Sequence, residues 1–428
     1  MRRTAGKGLL IGLLLVLAAC AGNRPEPPAE PPPGTVSGTS GGLATLVLGD
    51  RVLAFVPASG PELNVVELGG GPLALASLRV QSLSLGFQPD ACAADPLALK
   101  VVCIGYETSQ VAVISVRTDP LDFEVTEFDP GNEVRAGFSG GGCLNCGVLT
   151  DPGDDRFIVA SGDGYRVFDY RGNLLDRHLD PQFVTENFGY DYRENRILSP
   201  EYSGLAGADQ ELWVIDLDDA TAYRWTKRMT EVEGVPSNFL ADAAAIDLQT
   251  GLLVIGHEWS PGLLFVDLKH AEFGPGNTFT ASAVYHPLSD VYSPWNWLTT
   301  GLAVESAHHI AFLEEEFGNA IGAVRLPEAP GLPEALEYTS APLGGLGQPG
   351  IPDACELWEN VGDPHGLALF VTPGEGRPTG LVVNEPRTCL AVVDLEAFLA
   401  APKASGENRV DPGYDLVENG VVRYLTLP

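Results

Sequence analysis

A repeated phrase constrains this 428-residue chain more than any single motif does. Residues 101–115 read VVCIGYETSQVAVIS, residues 252–268 read LLVIGHEWSPGLLFVDL, and residues 379–395 read TGLVVNEPRTCLAVVDL. Each copy is a β-rich run, a polar pair ending in glutamate, and a second β-rich run, often closed by aspartate. Repetition on this scale decides architecture before chemistry, because one repeat cannot bury its apolar face alone.

Extending the pattern gives four short strands per repeat. First strands open on Gly or Ala near residues 42–44, 86–87, 147–149, 189–190, 243–246, 301–304 and 366–369. Second strands fall at 52–56, 99–104, 156–160, 196–199, 252–255, 309–313 and 380–383. Third strands fall at 63–68, 111–116, 165–170, 211–217, 263–268, 320–326 and 389–395. A more polar fourth strand is readable at 123–128, 222–226, 281–286, 336–340 and 421–427, and only 394–401 looks helical. Seven such repeats of roughly 40–65 residues predict an all-β, seven-bladed β-propeller of four-stranded blades over residues 42–428. An open stack would need end caps, and none is visible. Immunoglobulin-like sandwiches in series are the alternative, but they leave the shared strand order of the copies unexplained.

The N-terminus predicts where the protein goes. Arg2, Arg3 and Lys7 precede a short apolar run at 9–17, which ends in Leu17-Ala18-Ala19-Cys20. That is a secretory signal pattern over residues 1–19, and its ending resembles the lipobox of bacterial lipoproteins. The resemblance implies a lipidated Cys20 anchored to the cell envelope, with Ala21 favouring the outer membrane in a diderm organism. More than one acyl chain on the residue would make that anchoring stable. Residues 20–41 carry a proline block followed by Gly, Ser and Thr, a composition that predicts a disordered, partly stiff tether.

Charge and cysteine usage agree with export. The formal net charge is −32, and about −35 without the three basic residues of the signal. This acidity argues against nucleic acid as a partner, which needs basic surface. Beyond Cys20 there are six cysteines, an even number that in an oxidising compartment predicts disulfides. Proximity and the repeat alignment pair them Cys92–Cys103, Cys143–Cys146 and Cys355–Cys389. Gly147 after Cys146 excludes a c-type haem motif, which needs His there.

The last repeat carries a family resemblance. Pro364-His365-Gly366-Leu367-Ala368, Val383-Asn384-Glu385 and Ala391-Val392-Val393-Asp394 resemble the YVTN-type, lactonase-like and quinoprotein-like seven-bladed propellers. Such membership implies the fold and no particular reaction.

In a propeller, the loops entering the first strand and leaving the second share one face. That places Glu107, Asp163, Glu201, Glu258, Glu315 and Glu385 there, with Asn145, Asn187, Asp242, Thr300 and His365 nearest the channel. Three readings stay open. The acids satisfy backbone donors at their own turns. Alternatively Glu107, Glu201, Asp242, Glu258, Glu315 and Glu385 bind a divalent cation such as calcium. Or Asp242, His257, Glu258 and His365 catalyse hydrolysis of an ester or lactone with a metal-activated water. The aromatic run at 292–297, YSPWNW, could stack on a sugar or a partner. The Gly-x-Ser-x-Gly spacings at 38–42 and 137–141 sit in Gly-rich stretches with no helical pattern after them, so neither reads as a nucleophile elbow, and no phosphate-cradling loop before a helix and no His-Glu-x-x-His is present. The sequence therefore favours a non-enzymatic, monomeric binding or scaffolding propeller with an envelope protein partner and no assigned cofactor. A metal-dependent, lactonase-like hydrolase is the alternative.

Overall fold

The computed structural model describes residues 42–69, 79–105, 110–130, 147–152, 154–161, 164–179, 188–200, 210–239, 241–257, 261–288, 301–315, 320–343, 351–356, 364–384, 387–405 and 407–428. Side chains are not described at 160, 161, 164, 178, 179, 242, 354, 356, 364 and 365.

Seven antiparallel sheets follow one another in chain order. Their first strands are Ala44–Leu48, Ala91–Asp95, Val148–Asp151, Gly189–Asp191, Ala241–Asp247, Leu302–Glu305 and Pro364–Val371. Around the molecule first strands neighbour one another, blades three and four join through a shared core and the Arg156–Asn195 hydrogen bond, and the last first strand neighbours the first, so the sheets form a closed ring with these strands innermost. The fold is a seven-bladed β-propeller. Among the described residues no helix is long and apolar enough to cross a membrane.

Alternation explains why this sequence closes. Second strands such as Leu252–His257 and third strands such as Gly262–Asp267 are buried throughout, because both faces of each sheet meet a neighbouring blade. Successive residues go to opposite blades. Leu253 and Ile255 of blade five share a core with Leu198 of blade four, while Val254 packs with Ala311 and Leu313 of blade six. Each fully buried aliphatic side chain of this kind contributes about 1.5–3 kcal/mol. Outer strands read differently: Leu121–Phe128 alternates half-buried and exposed positions.

Blades one and seven share a core, with Val52 and Ala54 against Leu381 and Val383. The final strand, Val422–Thr426, pairs only with Cys389–Asp394 of its own blade. Among the described residues the ring therefore closes by packing, with no strand exchanged between its first and last blades. Cys92 faces Cys103 across a strand pair and is bonded to it. Cys355 is bonded to Cys389, tying the short helix Asp353–Glu356 to blade seven. Cys143 and Cys146 lie outside the described residues, as do residues 1–41 with Cys20. The short helix expected near 394–401 is Leu395–Leu399, capped by Asp394, whose Oδ1 accepts the Ala397 N–H at 3.0 Å.

Two expectations need correction. The first strand of blade two does not open at Gly86-Phe87; it begins at Ala91. Gly86 is there for another reason: its N–H donates to Glu127 Oε1 at 2.7 Å, and a Cβ would lie 2.6 Å from Glu127 Oε2. Blade five also carries an insert. The hairpin of Glu272–Gly274 and Thr278–Thr280 leaves blade five and pairs in parallel with Thr221–Trp225, making blade four six-stranded.

Candidate functional site

The antiparallel order gives the ring two unlike faces. Hairpins joining first to second and third to fourth strands lie on one face, here the hairpin face. Turns from second to third strands, and crossings to the next blade, lie on the other, the crossover face, where the sequence placed its candidates.

On the crossover face, two of those candidates sit at irregularities of the innermost strands. In blade five the pairing runs Ala241 with His257, then Ala243 with Gly256, so Asp242 is the extra residue of a bulge. In blade seven it runs Pro364 with Asn384, then Leu367 with Val382, so His365 and Gly366 bulge at the same end. Gly366 (φ 135°) is required there, since a Cβ would meet Gly42 Cα of blade one at 3.2 Å. Bulges re-aim side chains and gather near functional sites.

Register changes how the repeated acids compare. Leu252 pairs with Asp247 and Ile310 with Glu305, each acid ending its first strand. Five residues further on stand His257 and Glu315, so Glu315 corresponds to His257 and not to Glu258. Glu385 follows Asn384, the last residue of its strand, as Glu258 follows His257. The glutamates thus do not form one ring of equivalent positions, because a shift of one residue turns a side chain to the other face.

His257, Glu315 and Asn384 are instead buried at strand ends. Alternation puts each with the residue two before it, facing the preceding blade. The His257 ring lies 4.5 Å from that of Phe239, between blades four and five. Asn384 Oδ1 accepts the N–H groups of Thr388 and Cys389 at 3.0 and 2.9 Å, an acid-like role within its own turn. Glu315 Oε1 accepts the Tyr338 hydroxyl at 2.5 Å and the Ser340 hydroxyl at 2.7 Å, while Oε2 has no hydrogen-bond partner among the described residues. Burial pushes this carboxyl up to about 8, against the lowering effect of both hydroxyls. His257 and Glu315 therefore occupy different inter-blade seams and do not make a catalytic pair. Glu107, Glu201, Glu258 and Glu385, with Asp163, Asn145, Asn187, Thr300 and residues 292–297, lie outside the described residues. Among the described residues no three His, Cys, Asp or Glu side chains come together to hold a metal ion.

The hairpin face holds a regular acid series that the sequence reading missed. Blades two to six end their first strand in Asp95, Asp151, Asp191, Asp247 and Glu305. Four residues later each has a left-handed residue: Leu99, Asp155, Asn195, Gly251 and His309. Asp95 Oδ1 accepts the N–H groups of Leu97 and Ala98, both at 2.8 Å. Asp191, Asp247 and Glu305 hold their own turns in the same way. The spacing of an acid and a turn-forming residue four apart was the available signal.

Several of these groups also fasten blade to blade. Asp95 Oδ2 accepts the Tyr170 hydroxyl of blade three at 2.6 Å. Arg156 Nη2 donates to Asn195 Oδ1 of blade four at 2.6 Å. Arg193 Nη1 donates to the Leu248 carbonyl of blade five at 2.6 Å, and Asp247 Oδ2 lies 2.6 Å from His309 Nδ1 of blade six. Burial and the neighbouring Asp95 hold the Tyr170 hydroxyl far above its ordinary range, so it stays a donor. Removing such a group leaves buried partners unmatched. Asp247→Ala should accordingly cost about 2–3 kcal/mol in denaturant unfolding. Asp122→Ala, at an exposed pair with Arg117, should stay within about 0.5 kcal/mol. Equal effects of the two would remove the clamp interpretation.

No known protein family matches the chain, and no curated protein does. Solved structures resemble it in shape. A functionally unknown protein from Desulfotomaculum acetoxidans is 13% identical, with 82% of this chain and 96% of that chain covered and a TM-score of 0.49. Hydrazine synthase of Kuenenia stuttgartiensis is 12% identical, with 83% and 96% covered and a TM-score of 0.48. A protein from Lactobacillus plantarum is 10% identical, with 66% and 79% covered and a TM-score of 0.43. At these identities and scores none of the three bears on what this chain does.

Proposed function

We propose that this protein is a binding or scaffolding propeller of the bacterial cell envelope, held at a membrane through lipidated Cys20 and recognising its partner on the crossover face. The observation that carries the reading is the pair of bulges at Asp242 and His365. They break the innermost strands of blades five and seven at the same end of the channel, whereas among the described residues the first-to-second strand pairs of the other blades run in unbroken register. Ligand sites favour such places, where several elements converge. The buried positions of His257 and Glu315 support binding over hydrolysis, because a general base must reach its substrate. The lipobox-like ending and the proline-rich tether support a body displayed away from a membrane.

Crosslinking in intact cells, followed by recovery of the full-length protein, tests the reading. A discrete envelope protein captured by the wild type and lost in an Asp242→Arg, His365→Glu double variant is the expected result. Ester or lactone turnover by the purified protein, with no partner captured, would replace it with the hydrolase alternative. Anchoring has its own check. Cys20→Ser should move the protein from the membrane pellet to the soluble fraction, and continued sedimentation with membranes would rule the lipid anchor out.

A further inference from the structure

The blade-five insert does more than widen blade four. It walls a cavity of about 300 Å³ on the hairpin face, lined by both blades and by the start of the insert. Gly251 (φ 71°) makes the wall close, because a Cβ there would meet Lys269 Cβ at 2.9 Å. The volume is at the small end of ligand pockets, which run about 300–1,000 Å³.

The lining is unusual for so acidic a protein. Three cations, Arg193, Arg196 and Lys269, line it beside Asp191 and Glu194. The Arg196 guanidinium lies over the Phe273 ring, 4.6 Å from its centroid. Its carboxylate neighbours are loose: Asp216 Oδ2 is 3.7 Å from Nε and Glu194 Oε2 is 3.9 Å from Nη1, both beyond hydrogen-bond distance. Arg196 Nε is buried and makes no hydrogen bond among the described residues. A planar donor fork held by stacking, with its buried Nε unmatched, is suited to a carboxylate. The remaining walls are Leu198, Val214, Leu248, Leu268 and Ala271.

We infer that this cavity binds a small organic carboxylate with an apolar body, its carboxylate on Arg196 and Lys269 and its body against Phe273 and the aliphatic wall. The apolar walls disfavour a bare inorganic ion, whose hydration they cannot replace. The site shares Arg193 and Leu248 with the clamp between blades four and five and lies on the face opposite the partner surface proposed above. It is therefore independent of that reading and can stand or fall alone.

Titration of the full-length protein with phenylacetate, followed by calorimetry, tests the inference. Saturable binding is expected, with phenylacetamide at least about tenfold weaker. Arg196→Gln should weaken phenylacetate by about tenfold or more. Lys269→Gln, at an exposed position that leaves the fold undisturbed, should weaken it several-fold and decides the matter if the Arg196 variant fails to fold. Equal affinity for acid and amide, indifference to both substitutions, tighter binding of inorganic phosphate, or no binding at all would each overturn the assignment.

Discussion

Glu315→Gln should stabilise the protein at pH 9 and change it little near pH 5. The Glu315 carboxyl is buried between blades five and six, and burial raises it from an ordinary value near 4.5 to about 8. A raised acid favours the folded state in its protonated form. Its contribution is full below the unfolded value and disappears as pH climbs through about 8. Wild-type stability should therefore fall relative to the glutamine variant across that window, by up to about 1.4 kcal/mol per pH unit, and level off above it. Glutamine keeps an acceptor for the Tyr338 and Ser340 hydroxyls and cannot ionise. Glu315→Ala separates the two effects, since it strands both hydroxyls and opens a void, costing about 2–4 kcal/mol relative to Glu315→Gln at every pH. Denaturant unfolding at several pH values reads all three proteins. A constant difference between wild type and Glu315→Gln would show that the carboxyl does not carry a raised affinity for protons.

That a glutamate should behave this way was not visible in the chain, and the reason is register. The phrase Gly256-His257-Glu258 and the run Glu314-Glu315-Glu316 look alike, but strand pairing equates Glu315 with His257. Alternation is unforgiving: neighbouring residues on one strand face different blades. Glu314 illustrates it, since its Oε1 accepts the Gly366 N–H of blade seven at 2.7 Å while Glu315 bonds within blade six.

The inner strands were legible because each is buried on both faces and keeps an unbroken β-rich composition. The outer strands of blades one and three, Arg79–Ser84 and Leu174–Leu179, were not located, because they carry mostly polar or exposed residues. The insert escaped for a different reason: two three-residue strands carry almost no periodicity, and their partner, Thr221–Trp225, is distant in sequence. The acid series on the hairpin face was hidden by variety. Its left-handed position is filled by Leu, Asp, Asn, Gly and His in turn, so no single turn residue advertises it. Blade one dispenses with it altogether, joining Leu48 directly to Arg51 through Gly49 and Asp50.

Arg387→Ala should be among the most damaging single substitutions outside the apolar core. Among the described residues no strand crosses the seam where the first and last blades meet, so that interface is expected to be the weakest of the ring. Arg387 follows the second strand of blade seven and reaches across the seam. Its Nη1 donates to the Ala58 carbonyl of blade one at 3.1 Å and to the Pro89 carbonyl ahead of blade two at 2.8 Å. Asp90 Oδ1 stands 3.8 Å from Nη2. The residue is only 8% exposed, so its loss leaves buried carbonyls with no water to replace the guanidinium. Charged donors in such settings contribute about 1.5–3 kcal/mol each, and we expect about 3 kcal/mol in all. Another bridge across the seam, Thr45 Oγ1 to the Leu369 carbonyl at 3.0 Å, is neutral and should not compensate. Amide hydrogen exchange gives the localised readout. Protection should drop first in Ala44–Leu48 and Pro364–Val371, the innermost strands flanking the seam, while Ala241–Asp247 on the far side keeps its protection up to the global limit. Arg387→Lys retains the charge but not the forked donors and should fall between the two. Uniform loss of protection around the ring would mean that the seam is no weaker than any other blade interface.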